Sequence, residues 1–270
     1  MDLNNIIGFG IAGNFAGHLE QAGELKEFLS VSAEEGKPKG IFPFYLPEAD
    51  SELSVYPYSN ALQKIPQGEQ PQLEPEILLL CDMTYSDEGE VESIEPSHFT
   101  VFNDCTLRKE GAKKISEKKN WGSASKGVSD TWLPVDRFDE QGILNDYWLA
   151  SFVERDGVLF PYGINTKVSQ YSLFNRALLE WIVDTMNNQA DEGPLEDLHT
   201  MLEAHGFPKQ CVMSIGATAY EEFGEKNYLM AGDILTVVAY PSGEGDIQLC
   251  VKNQAFPEKA AVVSQTVSIA

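Results

Sequence analysis

The chain has 270 residues, of which 43% are apolar, and a formal charge of −23 at pH 7. This length allows one large domain or a small domain attached to a larger one. The acidity argues against nucleic acid and anionic membrane surfaces as general partners. The longest apolar runs are too short to span a bilayer, and the first residues lack the features of a signal peptide. We therefore expect a soluble, cytoplasmic protein.

The four cysteines are scattered along the chain and form no C-x-x-C pair. This spacing does not fit a zinc site, and a disulfide framework is not expected at this size. We predict buried free thiols.

The first seventy residues are rich in Gly, Pro and Asn. They contain a short apolar start, a Gly-rich turn and a predicted helix over residues 15–29, which ends at Leu29. Extended chain and loops follow over 38–66. The polar run at 67–72 is the best candidate junction. We predict a small N-terminal part over 1–70 and a larger part over 71–270.

The region after this junction is predicted to be mainly β. Strands are predicted over 76–83, 98–103, 147–154, 158–162, 210–215, 234–240 and 247–251. An amphipathic helix carries Phe174, Leu178 and Ile182 on one face, and a second helix is predicted over 194–204. Regular βαβ alternation is missing, so we do not expect a doubly wound parallel sheet.

A glycine motif near the start matches G-x-G-x-x-G at residues 8–13, with Glu34 and Glu35 about twenty residues further on. Such a motif is typical of a dinucleotide site, which would make the protein an NAD(P)-dependent oxidoreductase. The strand before it is short, however, and the next hundred residues supply no second βαβ unit. The match is therefore weak evidence.

Two carboxylates, Glu74 and Glu76, stand at the beginning of an apolar strand. In extended chain they point to the same face, roughly 7 Å apart. In a buried pocket their repulsion would cost about 2 to 3 kcal/mol at an effective dielectric near 20. A divalent cation converts this cost into binding, and oxygen ligands suit Mg²⁺, Mn²⁺ or Ca²⁺. The alternative is a pair of solvated acids, since the chain has 42 acidic residues.

The segment from Arg108 to Lys126 is basic within this acidic chain. It holds seven of the nineteen basic residues and only two acids, Glu110 and Glu117. It is either a solvated basic helix or a basic rim that attracts a small anionic substrate.

The strand that ends in Asn103-Asp104 is followed by Arg108, and this order of motifs resembles the fumarylacetoacetate hydrolase superfamily. The family shows an E-x-E strand and then a strand ending in N-D, with an arginine four residues beyond the acid. Further similar stretches occur in the same order, at residues 7–18, 125–134, 165–166, 212–218, 223–224 and 229–233. The resemblance spans nearly the whole chain. It implies an α+β fold that is mainly β, a mixed β-roll with a smaller N-terminal α/β part, and a homodimer.

The resemblance also implies a set of site residues. Glu74, Glu76 and Asp104 would bind a divalent metal, Mg²⁺ or Mn²⁺, with Ca²⁺ left open. Arg108 and the catalytic Lys126 would meet the substrate's carboxylate and developing oxyanion, and Gly216 and Thr218 would also contact the substrate. Lys126 would in addition balance charge at the metal. His18 would activate water, with Glu20 as its orienting acid if this segment is not a regular helix.

The family's reaction implies a hydrolase or lyase that cleaves a C–C bond in a small anionic dicarbonyl or oxo-acid substrate. Several residues depart from the family pattern: Gln21 stands where the family has the acid that supports the histidine, Ile215 and Ala217 replace threonines, and Pro161 replaces a glutamine. Decarboxylase or tautomerase activity therefore stays open. A second alternative is a binding or regulatory protein that keeps the fold without catalysis.

Overall fold

The computed structural model describes residues 1–28, 31, 34, 36–109 and 111–270. These residues form fifteen strands and five α-helices, together with short 3₁₀ turns. The strands are β1 Ile7–Ala12, β2 Gly40–Tyr45, β3 Tyr58–Ser59, β4 Leu62–Ile65, β5 Pro71–Gln72, β6 Pro75–Tyr85, β7 Val91–Asn103, β8 Thr106–Leu107, β9 Lys126–Val128, β10 Leu133–Pro134, β11 Tyr147–Arg155, β12 Val158–Lys167, β13 Gln210–Ser214, β14 Ile234–Pro241 and β15 Ala261–Ile269. The helices are α1 His18–Gln21, α2 Asn175–Asn188, α3 Leu198–Ala204, α4 Glu222–Lys226 and α5 Ile247–Asn253.

The described strands form one eight-stranded, one five-stranded and one two-stranded sheet. The largest has the order β2-β1-β13-β6-β7-β9-β3, with β10 also paired to β7, and the second has the order β12-β11-β14-β15-β4. Parallel pairs such as β1–β13 and β4–β15 occur beside antiparallel ones such as β6–β7 and β11–β14. This mixed, mainly β arrangement confirms the predicted fold class.

The long hairpin of β6 and β7 is buried on both faces. Ile77 and Leu79 lie in a core shared with the five-stranded sheet. Leu78 and Leu80, which point to the opposite face, lie in a second core under β1 and β2. Side chains alternate between the faces of a strand, so burial on both sides explains the uninterrupted apolar run that precedes Asp82.

The glycine motif lies in β1 except for Gly13, which follows the strand, and its first two glycines serve packing. A Cβ on Gly8 would lie 2.4 Å from the ring of Phe44, and one on Gly10 would lie 2.4 Å from the ring of Phe42. The next strand, β2, runs antiparallel to β1, so these glycines do not open a βαβ unit. Glu34 is exposed and pairs with Lys37. Glu35 lies outside the described residues.

Six of the seven predicted strands coincide with β6, β7, β11, β12, β13 and β14, and the predicted amphipathic helix is α2. The strand predicted over 247–251 was wrong, because these residues form α5. The Asp246 carboxylate caps this helix by accepting hydrogen bonds from the backbone N–H groups of Gln248 and Leu249. The predicted helix over 15–29 is α1 followed by a 3₁₀ turn at Leu25–Phe28. Leu29 lies outside the described residues.

The first two strands pair within the eight-stranded sheet, where β1 lies next to β13. The division of the chain near residue 70 stays a prediction. Within the described part of the chain, no helix combines the length and the apolar character needed to cross a bilayer. The four cysteines are free, and Cys81, Cys105 and Cys211 are buried as predicted, whereas the prediction was wrong for Cys250, which is half-buried.

Candidate metal centre

Three carboxylates converge where β6 begins and β7 ends. The two strands are antiparallel, with Pro75 opposite Asn103 and Glu76 opposite Phe102, so the start of one lies beside the end of the other. The backbone N–H of Asp104 donates to the Glu74 carbonyl oxygen at 2.9 Å. One oxygen from each of Glu74, Glu76 and Asp104 lies within 4.8 Å of the others, and all three residues are buried. The structure therefore brings together the three predicted metal ligands.

Two cations contact the Glu74 carboxylate. Arg108 Nη2 donates to Glu74 Oε1, and Lys119 Nζ donates to Glu74 Oε2, both at 2.7 Å. Burial would raise the pKa of Glu74, but the charges of Lys119 and Arg108 outweigh it and hold the pKa well below its usual value. Glu74 is therefore ionised.

Two lysines contact Asp104. Lys119 Nζ lies 2.5 Å from Oδ2 and Lys126 Nζ lies 2.7 Å from Oδ1. Lys126 Nζ also donates to the Cys105 carbonyl oxygen at 2.6 Å. Burial lowers the pKa of Lys126 in spite of its carboxylate neighbour. The predicted charge-balancing lysine thus lies at the carboxylates, and a second lysine, which was not predicted, lies beside it.

Glu76 has a different environment. Its Oε2 accepts the backbone N–H of Gly216 at 2.8 Å. In the described part of the chain, no ammonium or guanidinium nitrogen lies within 4.0 Å of its oxygens. Burial, and then the Asp104 carboxylate, raise the pKa of Glu76 well above its usual value. A positive charge beside Glu76 would offset both effects.

The ring of His18 faces this cluster from α1. Its Nδ1 lies 2.9 Å from the Thr218 carbonyl oxygen, which can only accept, so Nδ1 carries the proton. In the neutral ring Nε2 then has the lone pair, and it lies 3.6 Å from Glu74 Oε1. His18 is buried whereas Glu20 is exposed. The orienting position predicted for Glu20 is therefore occupied by the Thr218 carbonyl group.

Gln21 does not replace the missing acid of the family pattern. Its side-chain amide pairs with the backbone of Tyr220, accepting from the N–H at 2.7 Å and donating to the carbonyl oxygen at 3.2 Å. These two bonds fix α1 against the loop that carries Gly216 and Thr218. Gln21 thus positions the histidine indirectly.

The loop after β13 presents backbone groups to the site. Gly216 has φ of +107°, a conformation that favours glycine, and its N–H reaches Glu76. Thr218 offers its carbonyl oxygen to His18, while its buried Oγ1 has no hydrogen-bond partner among the described residues. Of the family departures, Ala217 lines the cavity beside the carboxylates, Ile215 is in the core, and Pro161 is exposed on β12.

Arg108, predicted to bind substrate, has four of its five N–H groups engaged by protein oxygens. Besides Glu74, it donates to Gln72 at 2.6 Å, to Glu24 at 2.7 Å and to the Tyr220 hydroxyl at 2.8 Å. In this structure the Arg108 guanidinium holds the Glu74 carboxylate in place. A contact with substrate would require one of these bonds to open.

The basic segment fits neither of the two interpretations drawn from the sequence. Lys118 is buried and pairs with Glu24 and Glu27, both at 2.8 Å. Lys119 and Lys126 are buried among the carboxylates, whereas Lys109 and Lys113 are exposed. Glu110 lies outside the described residues. This segment therefore neutralises interior acids, and the functional residues that sequence reasoning missed are Lys119, Lys118 and Glu24.

A cavity of about 20 Å³ adjoins the carboxylates, and its walls include His18, Glu74, Glu76, Lys119 and Phe42. Such a volume holds about one water molecule or one ion. Larger grooves elsewhere on the surface, such as the ≈ 730 Å³ groove between β7 and α2, are open and lie away from these residues.

The donor set fits a divalent cation. Three carboxylates supply hard oxygen ligands, which Mg²⁺, Mn²⁺ and Ca²⁺ prefer. Each of the three residues is buried, and Oδ1 of Asp104 lies 2.7 Å from Lys126 Nζ. The residues therefore fit a hard cation by the chemistry of their oxygens.

The fold resembles that of solved fumarylacetoacetate hydrolase proteins, which confirms the fold predicted from the order of motifs. Similar solved structures include a protein named Cg1458, crystallised with an inhibitor, at 15% identity and a TM-score of 0.56, covering 98% of this chain and 77% of that one. A 2-keto-3-deoxy-D-arabinonate dehydratase complexed with magnesium and 2,5-dioxopentanoate has 11% identity and a TM-score of 0.53, covering 99% and 74%. A putative fumarylacetoacetate isomerase/hydrolase from Oleispira antarctica has 14% identity and a TM-score of 0.53, covering 97% and 93%. At these identities the likeness shows the fold alone.

Residues 24–267 match a sequence family described as "Family of unknown function (DUF5718)". The chain belongs to this family. The comparison with curated proteins found no match.

Proposed function

We propose that this protein is a divalent-metal-dependent hydrolase or lyase that acts on a small anionic dicarbonyl or oxo-acid substrate. The observation that carries the proposal is the convergence of Glu74, Glu76 and Asp104 beside the buried His18, whose Nε2 lies 3.6 Å from Glu74 Oε1. Proteins of similar fold add support, since they include a 2-keto-3-deoxy-D-arabinonate dehydratase complexed with magnesium and a maleylpyruvate hydrolase.

The three carboxylates would hold Mg²⁺ or Mn²⁺, with Ca²⁺ left open. When bound, the cation would supply Lewis acidity that polarises a carbonyl group of the substrate. Asp104 is fixed by its backbone hydrogen bond to Glu74, and Arg108 Nη2 donates to Glu74 Oε1. These two contacts would keep Glu74 and Asp104 in place when a cation binds.

His18 would act as the base. The Thr218 carbonyl oxygen keeps the proton on Nδ1, so Nε2 can accept one from a water molecule or from the substrate. The cavity has room for about one water molecule. Admission of an oxo-acid therefore requires its wall to move outward, and Leu19 and Glu24 form part of that wall.

The first test is a metal-dependent thermal shift on the wild type and on Glu76→Ala, with the exposed Glu92→Ala on β7 as a matched control. A ligand that binds only the folded state raises its stability by RT ln(1 + [L]/Kd). We expect Mg²⁺ or Mn²⁺ to stabilise the wild type and the control variant but not Glu76→Ala. Equal shifts in all three proteins would count against the site.

The second test is a panel of 2,4-dioxo acids and 2-oxo dicarboxylic acids with saturating metal. Turnover that is lost in His18→Ala supports the proposed catalysis. Metal binding without turnover of any member would instead favour a binding protein that keeps the fold, an alternative consistent with the altered residues around His18. A homodimer is proposed from the same family resemblance, and light scattering after size exclusion tests it.

A further inference from the structure

Lys119 places an ammonium group on two of the three candidate metal ligands. Its Nζ lies 2.7 Å from Glu74 Oε2, 2.5 Å from Asp104 Oδ2 and 2.6 Å from the Thr106 hydroxyl oxygen. An ammonium has three N–H donors, so every donor has an oxygen partner. The side chain is also buried, with Nζ 4.8 Å from the centre of the Phe42 ring. Lys119 is therefore an integral part of the centre.

The second lysine at the centre is placed differently. Lys126 contacts a single carboxylate, that of Asp104, and gives another bond to the Cys105 carbonyl oxygen. Lys119 instead bridges Glu74 and Asp104, as a shared cation would. Glu76 is left without a cation within 4.0 Å among the described residues.

A count of charges shows what a metal would meet. Glu74, Glu76 and Asp104 can carry three negative charges, and the contacting Lys119, Lys126 and Arg108 carry three positive charges. A divalent cation added to this set would leave an excess of two positive charges in a buried site. Like charges repel strongly in a low-dielectric interior. The excess of positive charge is therefore reduced if a lysine ammonium moves away from the carboxylates when the metal binds.

We propose that Lys119 is an internal competitor for the metal site: its ammonium bridges Glu74 and Asp104, and a divalent cation binds by displacing it from these two carboxylates. This inference rests on the proposed metal site and adds the group that sets its affinity. Lys119 is thus a specificity-determining residue. A monovalent cation cannot displace the Lys119 ammonium from the two carboxylates, whereas a divalent cation that also binds Glu76 can.

The test measures Mn²⁺ binding alone, by titration calorimetry and by electron paramagnetic resonance of free Mn²⁺, on the full chain at one fixed pH. The variants are Lys119→Met and the control Lys113→Met, which removes the same charge from an exposed position in the same segment. We expect Lys119→Met to bind Mn²⁺ at least tenfold more tightly than the wild type. The control should stay within twofold of the wild type.

Since Lys119→Met leaves two buried carboxylates short of a cation, a second variant guards against loss of folding. Lys119→Gln keeps an amide that can donate to the same oxygens, and circular dichroism checks its fold. Its midpoint of thermal unfolding should rise more with Mn²⁺ than that of the wild type. An equal or smaller rise would contradict the competition.

The outcomes separate this inference from the proposed function. Equal Mn²⁺ affinity in the wild type and Lys119→Met overturns the competition and leaves the metal site standing. Binding in neither protein overturns both proposals. Binding in Lys119→Met but not in the wild type supports the competition and overturns metal dependence of the native chain.

Discussion

Replacement of Arg108 by Met should destabilise the fold strongly, because this guanidinium is the hub of a buried ion network. It donates to Glu74 and Glu24, whose carboxylates are 3% and 12% exposed. Burial would lower the pKa of Arg108, but Tyr220 and the two carboxylates raise it well above its usual value. The variant removes the cation and leaves both acids buried.

Removal of one partner from a buried ion pair typically costs about 3 to 5 kcal/mol. We expect the lower end of this range, about 3 kcal/mol, because Lys119 still contacts Glu74 and Lys118 still contacts Glu24. In a chain of this size each kcal/mol lowers the midpoint of thermal unfolding by roughly 2 to 4 °C. The expected loss is therefore on the order of 10 °C.

The assay compares urea unfolding of the wild type, Arg108→Met and the exposed control Lys113→Met, which carries the same change in charge. The control should stay within about 0.5 kcal/mol of the wild type. The effects of Arg108→Met and Glu24→Gln on the free energy of unfolding should be non-additive in the double variant, by at least about 1 kcal/mol. If Arg108→Met unfolds within about 1 kcal/mol of the wild type, the guanidinium is not holding the network. The substrate-binding role predicted from the sequence would then be the better account of this residue.

Two further predictions concern stability. Burial raises the pKa of Glu196 to about 7 from 4.5, so the folded state holds a proton that the unfolded state has released, and stability falls as the pH rises between these values. Glu196→Gln keeps an oxygen that can accept the Ser116 hydroxyl, so it should remove this dependence of stability on pH and stabilise the protein by about 1 to 3 kcal/mol at pH 8. Urea unfolding of both proteins at pH 5 and pH 8 measures the effect. Gly10→Ala should cost about 1 to 3 kcal/mol because its Cβ would meet the Phe42 ring at 2.4 Å. As a control, a Cβ on Gly245 would meet no described atom within 4 Å, so Gly245→Ala should leave the free energy of unfolding unchanged. Equal losses of stability in the two variants would refute the packing argument.

Much of the fold could be predicted because strand signals depend on local sequence. The apolar run from Ile77 and the hairpin turn at Asp156-Gly157 each identify a strand or its end without reference to the rest of the chain. The order of motifs then predicted the fold. The prediction for residues 247–251 was wrong because such a short, mainly apolar stretch is compatible with a strand as well as with a helix. The helix is favoured by the Asp246 carboxylate, which accepts two hydrogen bonds from backbone N–H groups of the first turn.

The carboxylate pair was recognisable because Glu74 and Glu76 are two residues apart at a strand start, whereas the family resemblance added Asp104 and made the three a metal site. The structure explains their convergence, since Asp104 follows the strand that pairs antiparallel with β6. His18 was predicted from the family resemblance alone. Its partner was not, because a backbone carbonyl such as that of Thr218 leaves no mark in the side-chain sequence.

Lys119 lay beyond sequence reasoning for a physical reason that applies to the whole basic segment. It follows a single 3₁₀ turn at Ile115–Lys118, and such irregular chain has no period that relates sequence position to side-chain direction. Neighbouring lysines therefore point to different surroundings: Lys113 to solvent, Lys118 to Glu24 and Glu27, and Lys119 to the carboxylate centre. Composition nevertheless carries a usable signal. A buried acid that stays ionised requires a cation beside it, so a local surplus of lysine in an acidic chain with an E-x-E strand indicates internal charge balance as well as a solvated surface.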